Sequence, residues 1–587
     1  MEKHTVGKPP THTGPGSHIQ FRTPRWSFLL NGVLLALVLY LSQRLGLEPL
    51  NSVSQRTHNH SRALHPCRFP LPPVLAKSPP SPSDLVIREA LPKLEHALSA
   101  RFAAGGIDSM SVAVVTSDGP IYDGFWGLLR ANETEDENQR AVDRHTIYRL
   151  ASISKLTTVL ETYILRDRGA LNLDDPVKKF LPQLSYTPED DPLTFRQLMS
   201  HMSGLGRDWP PGDSSKAWPK SLDGAGPPHY NGLPFPSHEQ FFDAIAHNQL
   251  IVPPYTYPIY SNTGFSLLGL ANVAASRAFE GGDSPQTHAE LLQRDIFDPL
   301  GLNGSSFLLT EINQPHVAVA SMVTVEADQD FGDATNPAGG QYGSLSDLTK
   351  LMQTFLNPSG PKSLISSYTM REWVRPIHVW FDDFSEVGAL WEIYKSHDSY
   401  GRSQKIYQKF GNLAGYHSAF TMNPVNSYGI VVLTTGPTVG IIPLINIIIE
   451  NLQPAFGLAL ENATRDLLVG TWLSDDGQGT VTIVLEEGSL FVTQFLLNGT
   501  NVLSVMHQGK HPTKVPLWSS GEDEFKLAIS PEADGCLFSW VGLDGFGYID
   551  GYSVNSLRVT RTGNDTILHL PATGTELKRP YQSYPSR

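Results

Sequence analysis

Ala151-Ser152-Ile153-Ser154-Lys155-Leu156-Thr157-Thr158 is the stretch whose reading decides the fold. Apolar residues follow at Leu156, Val159, Leu160, Tyr163 and Ile164, one stripe of a helix. Gly169 supplies a stop for that helix. Positions i and i+3 of a helix share a face, about 4.5 Å apart along the axis. The Lys155 ammonium therefore reaches the Ser152 hydroxyl. A serine hydroxyl is a weak nucleophile that needs an adjacent base, and a partly buried lysine has a lowered pKa and can take the proton. Ser152 also opens the helix, where backbone N–H groups favour a developing oxyanion. A second Ser-x-x-Lys, Ser359-Gly-Pro-Lys362, contains Gly-Pro and reads as a turn.

Two further motifs complete an ordered set. Pro258-Ile259-Tyr260-Ser261-Asn262-Thr263-Gly264 holds the only Tyr-x-Asn of the chain, and Lys409-Phe410-Gly411 is the only Lys-x-Gly. The order Ser-x-x-Lys, Tyr-x-Asn, Lys-x-Gly resembles that of the class C β-lactamases and the related penicillin-binding and esterase proteins. His201-Met-Ser203-Gly204-Leu205, the run Tyr260 to Gly269, and Gly339-Gly340 with the helix after it look like further segments of the same family. The likeness covers roughly residues 85 to 455 and points to a eukaryotic, fungal branch with a C-terminal β-domain.

The resemblance implies an α+β fold of the β-lactamase/transpeptidase type, a central antiparallel sheet flanked by helices. It implies Ser152 as nucleophile, with Lys155 and Tyr260 moving the proton and Tyr260 serving as base for acylation. Asn262 is carried over as a hydrogen-bond donor to substrate and to the Lys155 side chain, and Lys409 as a substrate-binding residue. The second oxyanion N–H is that of Asn412, opposite that of Ser152. Phe410 departs from the family's small or hydroxyl-bearing residue. The lost hydroxyl could have held a substrate carboxylate, so β-lactam recognition is in doubt.

Length and texture divide the rest. At 587 residues the chain exceeds a single ordinary core. Its net charge of −14 comes with no basic patch, which argues against nucleic acid. Residues 1–25 read as a disordered cytoplasmic tail, and the apolar run within 26–43 as an uncleaved signal anchor. Residues 44–83 read as a proline-rich stalk, 84–460 as the catalytic domain, and 465–587 as a small β-barrel, lipocalin-like by analogy. The expected location is the membrane of the secretory pathway with the body luminal or extracellular, or else a secreted protein. Sequons at Asn59, Asn132, Asn303, Asn462, Asn498 and Asn564 agree with that sidedness. The two cysteines, Cys67 and Cys536, either pair in an oxidising compartment or stay unrelated thiols.

Several features carry no chemistry. Asp174-Asp175 reads as a helix start, His201 as a satisfied histidine in a turn, and Trp472 as barrel core. No Gly-x-Ser-x-Gly elbow, His-Glu-x-x-His or cysteine cluster occurs, so neither metal nor cofactor is expected. The Pro-, Gly- and Trp-rich segment 207–236 reads as a loop at the active-site mouth, with Trp209, Trp218 and Tyr230 offering apolar surface. The partner is then a small acyl substrate, cleaved by a serine hydrolase. Two alternatives stand beside it: an acyltransferase acting on a secondary metabolite, and a non-catalytic binding protein on the same scaffold. The acyl group, the leaving group and the oligomeric state stay open.

Overall fold

Strands buried on both faces belong at the centre of a sheet, and among the described residues two eight-residue strands answer that description. They are Ser109–Thr116 (β1) and Tyr428–Thr435, every residue of each being buried. The computed structural model describes residues 67–133, 140–186, 191–228, 230–437, 440–521, 523–528, 536, 541–562 and 565–580. The expected tail and signal anchor, and the sequons at Asn59 and Asn564, lie outside these residues.

After a helix at Leu85–Ala103 (α1), β1 turns through Asp118-Gly119 into Gly119–Gly127 (β2). Ser154–Asp167 (α2) follows; Gly169 ends it with a φ of +83°, a conformation that glycine alone takes without strain. The helical layer continues with Asn262–Glu280 (α3), Gly332–Gly339 (α4) and Leu345–Leu356 (α5). The chain then returns to the sheet as Pro376–Val379 (β3), Ser385–Gly388 (β4), Glu392–His397 (β5), Ser403–Asn412 (β6), Tyr416–Asn423 (β7) and Tyr428–Thr435 (β8). The eight strands are antiparallel in the order β2-β1-β8-β7-β6-β5-β4-β3. One face of this sheet packs on α2, α3 and α5 in a first core that includes Leu156, Leu160, Phe265, Leu351 and Phe420. The other face packs on α1 and on a long helix, Ile441–Leu468 (α6). The fold is the β-lactamase/transpeptidase α+β arrangement.

α6 runs unbroken to Leu468. Pro454 lies inside it, while Phe456, Ala459 and Leu460 keep the buried stripe going. The helix is long and apolar enough to cross a membrane by length and composition, but Leu444, Ile445, Ile448, Leu452 and Phe456 are fully buried in the second core.

Eight strands of a barrel follow, beside three two-residue strands: Gly470–Leu473 (β9), Gly479–Glu486 (β10), Ser489–Leu497 (β11), Val515–Ser519 (β12), Glu524–Leu527 (β13), Ser556–Thr562 (β14), Asp565–Leu570 (β15) and Thr575–Lys578 (β16). They run in the order β10-β9-β16-β15-β14-β13-β12-β11, and β10 also pairs with β11, which closes the barrel. The second core passes from β8 and α6 into this barrel through Leu468, Trp472, Val481 and Leu577. Residues 67–532 and 536–587 accordingly make one compact unit, so the body and the barrel are not two separate globules.

The stretch 67–83, expected as the end of a stalk, is instead a strap laid on this unit. Leu71 and Leu75 are buried in the second core. The Phe69 carbonyl accepts from Ser489 Oγ and Arg402 Nη1, and Cys67 is disulfide-bonded to Cys536. Proline suits such a strap because it offers no N–H that would need a partner.

Candidate active site

Ser152 sits in a single 3-10 turn, Ala151–Ile153, immediately before α2. Ala151 has a φ of +49°, a left-handed conformation that costs an alanine about 1–2 kcal/mol. Several bonds hold the turn in place. Leu150 N–H donates to the Gln341 carbonyl, Ser418 Oγ to the Leu150 carbonyl, and Gln341 N–H to Ser154 Oγ. β6 passes so close that a Cβ on Gly411 would lie 2.2 Å from the Leu150 carbonyl oxygen and 3.1 Å from Ser152 N. Glycine at 411 is what lets the strand approach the nucleophile.

Around Ser152 Oγ the structure gathers the residues of the first two motifs. Lys155 Nζ donates to Ser152 Oγ at 2.9 Å, to Asn262 Oδ1 at 2.7 Å and to the Ala338 carbonyl of α4. Those three bonds use every proton of an ammonium group. The Tyr260 hydroxyl lies 2.7 Å from Ser152 Oγ. Burial pulls the Lys155 pKa down to about 8, against the opposing pull of Tyr260. Burial works to raise Tyr260, but the cations of Lys155 and Lys409 outweigh it and bring its pKa to about 8. Two groups that ordinarily titrate above pH 10 are thus poised close to neutrality.

Lys409 comes from β6 on the same face as the site, its Nζ 5.1 Å from the centre of the Tyr260 ring. It is buried and bonded to Glu392 Oε1 of β5 at 2.5 Å and to the Phe410 carbonyl at 3.0 Å. The next residue points to the opposite face, as strand alternation requires. Phe410 pairs with Ala419 and packs on the second core, away from Ser152. Asn412 lines the cavity beside Ser152 and Leu413, with its Oδ1 3.0 Å from His417 Nδ1.

Three further residues, Asp208, His201 and Glu392, belong to the constellation. Asp208 Oδ1 accepts from Asn262 Nδ2 at 2.7 Å, which turns the amide oxygen of Asn262 toward Lys155. His201 stacks on the Tyr260 ring at 4.5 Å. Its Nδ1 accepts from Ser261 N–H and its carbonyl from Ile259 N–H, so it braces both neighbours of Tyr260. Burial, with Lys155 and Lys409 nearby, keeps its pKa well below the usual range and the ring neutral. Glu392 is the third. His201 opens the His-x-Ser-Gly-Leu segment and was read there as a satisfied turn histidine; Asp208 had no signal beyond nearness to that segment, and Glu392 had none.

The cavity at Ser152 is about 220 Å³ and is bounded by Arg207, Asp208, Asn262, Phe235, Phe331 and Leu413. Segment 207–236 therefore does border the site, yet only Tyr230 of its three singled-out aromatics reaches the cavity. Trp209 is buried, with its backbone N–H bonded to Thr263 Oγ1, and Trp218 is exposed. The fully buried carboxylate of Glu326 ties this loop to the β6–β7 turn. It accepts from the Tyr230 hydroxyl and from the N–H groups of Ala414 and Gly415, the latter two at 3.0 and 2.7 Å. Asp174 pairs with Arg196 and Asp175 with Lys179, so neither enters the cavity. Among the described residues no three His, Cys, Asp or Glu side chains gather as a metal site.

Residues 94–440, more than half of the chain, match the beta-lactamase family model. The chain belongs to the beta-lactamase family. Beta-lactamase-like protein str6 of Strobilurus tenacellus is 38% identical over 306 residues, 50% of this chain and 99% of that protein. Putative beta-lactamase-like 1 of Homo sapiens is 27% identical over 408 residues, 68% of this chain and 74% of that one. The octameric penicillin-binding protein homologue from Pyrococcus abyssi has a TM-score of 0.50 at 19% identity, over 83% of this chain and 99% of that one, a likeness of fold alone. The beta-lactamase family includes serine hydrolases, and its matched span holds Ser152, Lys155, Tyr260, Asn262, Lys409 and Asn412. The barrel lies beyond it.

Proposed function

We propose that the protein is a serine hydrolase that passes through an acyl-Ser152 intermediate. The observation that carries this reading is the position of Ser152 Oγ, between the Tyr260 hydroxyl at 2.7 Å and Lys155 Nζ at 2.9 Å. Tyr260 in its phenolate form takes the Ser152 proton as Oγ bonds to the carbonyl carbon of an ester, amide or lactam. The Lys155 ammonium holds the phenolate charge and the Oγ position. The N–H groups of Ser152 and Asn412 receive the oxyanion. Collapse expels the leaving group, which takes its proton from Tyr260. Water then repeats the attack on the acyl carbon, releasing the acid and restoring Ser152.

The same intermediate serves acyl transfer when an alcohol replaces water. The apolar walls formed by Phe235, Phe331 and Leu413 favour that second reading for apolar acceptors. Fluorophosphonate treatment of the full chain beside Ser152→Ala tests the common step. A stoichiometric mass adduct on the Ser152 peptide, absent from the variant, is expected; no adduct on folded protein would overturn it. Adding a primary alcohol to a p-nitrophenyl ester assay then separates the acceptors, because an acyltransferase yields the new ester in place of the acid.

We also infer a luminal or extracellular body on a single-pass anchor. The Cys67–Cys536 disulfide and the exposed sequon residues Asn132, Asn303, Asn462 and Asn498 support it. Enzymatic deglycosylation of protein from its secretory host is expected to lower its mass on a gel; an unchanged mass would count against the assignment.

A further inference from the structure

The Lys409 ammonium is a second buried cation beside Tyr260, with Lys155, and it is already paired. Its side chain is 1% exposed while that of its partner Glu392 is 38% exposed. The carboxylate is thus the solvent-exposed member of the pair and the ammonium the covered one. A second bond, to the Phe410 carbonyl, occupies another Lys409 proton, and the Tyr260 ring covers the group at 5.1 Å. A second carboxylate, Asp208, lines the cavity at Ser152, 13% exposed and engaged with Asn262. Arg207, the cation at the mouth, is 69% exposed and lies 3.4 Å from that same Asp208. Part of the wall is aromatic, Phe235 stacked on Phe331 at 4.4 Å.

We propose that Glu392 is a specificity-determining residue that fills the place of an anionic substrate group. The site therefore takes acyl donors that are neutral and apolar next to the scissile bond, and turns away those carrying a carboxylate there. The assignment rests on the acyl-serine reading. A substrate carboxylate approaching Lys409 would have to lie against Glu392, and displacing Glu392 would strip a buried lysine of the partner that keeps it charged.

The test uses two alkyl fluorophosphonates of equal length, one ending in a methyl group and one in a carboxylate. Second-order rates of Ser152 labelling are followed by intact mass on the full chain. The wild type is expected to prefer the neutral reagent by roughly 30-fold, the size of the repulsion between two carboxylates at contact in a medium between water and a protein surface. Glu392→Gln is expected to bring the two rates within about threefold by speeding the anionic reagent, the same Coulomb contribution being removed. A change in Tyr260 basicity in the variant acts on both reagents and cancels in the ratio. Should the variant fail to fold, the wild type carries the test alone, because raising salt should narrow its ratio. Equal wild-type rates, or a ratio that neither the variant nor salt moves, would overturn the proposal while leaving the nucleophile intact. No labelling of Ser152 by either reagent would overturn the acyl-serine reading and this assignment with it.

Discussion

Ser152 Oγ touches two groups whose charges depend on each other, and this sets the pH at which the site works. Tyr260 becomes a phenolate as pH rises through about 8, and Lys155 loses its ammonium over the same range. A base that must be deprotonated and a cation that must stay protonated give a bell. We expect kcat/KM on a neutral p-nitrophenyl ester to climb from pH 6, peak near 8 and fall above it. Tyr260→Phe should cost about 10²–10⁴-fold and erase the rising limb. An unaltered rising limb in that variant would assign the base elsewhere. Glu161, fully buried on α2, gives a second prediction. Burial, with Asp295 next to it, raises its pKa well above the usual carboxylate range. A raised folded pKa adds stability that is fully present below the unfolded pKa and is lost as pH rises past it. Glu161→Gln should therefore melt higher than wild type at pH 7, with the gain vanishing below about pH 4. Ser152, Lys155, Tyr260, Asn262 and Lys409 were legible in the sequence because each belongs to a spaced motif. Asp208 and Glu392 were not, because their contacts with Asn262 and Lys409 join residues 54 and 17 positions apart that share no pattern.

Elements, more than single side chains, bring the nucleophile and the oxyanion site together. β6 approaches the Ser152 turn only because residue 411 has no side chain. Gly411→Ala must move either the strand or the turn by more than an ångström. We expect it to abolish turnover by at least about 100-fold while changing the melting temperature far less; a fully active variant would show that the approach has slack. Glu326 holds the β6–β7 turn and the 207–236 loop from a position outside the cavity. Glu326→Gln keeps its shape but loses one acceptor, and we expect a higher KM with a smaller change in kcat, a mark of a disturbed binding wall. The sequence marked the start and stop of α2 because Gly169 is a chemical terminator. It did not mark the end of α6, since Pro454 looks like a terminator yet lies where buried Phe456 and Leu460 hold the helix on the sheet. It likewise did not show the 67–83 strap, whose proline content speaks of extended chain but not of what Leu71 and Leu75 rest upon.

For the molecule as a whole, the second core makes α1, α6, the sheet and the barrel depend on one another. Full-length protein should unfold in a single calorimetric transition; two resolved peaks would show an independent barrel. A chain ending at residue 464 leaves part of α6 without the barrel core it shares, and each large apolar side chain uncovered costs about 1.5–3 kcal/mol. We expect such a truncation to aggregate. The resemblance, read from motifs that all lie before residue 440, carried the fold of the body. The C-terminal barrel was legible from its short strands and turns together with analogy, and the β10–β11 pairing closes it; which pair would seal it was not legible, since that hairpin reads like any other.

The bond between Cys67 and Cys536 spans 469 positions and turns nearly the whole body into a covalent ring. A protease that nicks the exposed part of the 207–236 loop would open that ring without dividing the molecule. Nicked and intact protein should then run as one band of nearly equal mass under non-reducing conditions, and a reductant should part the nicked form alone into two fragments.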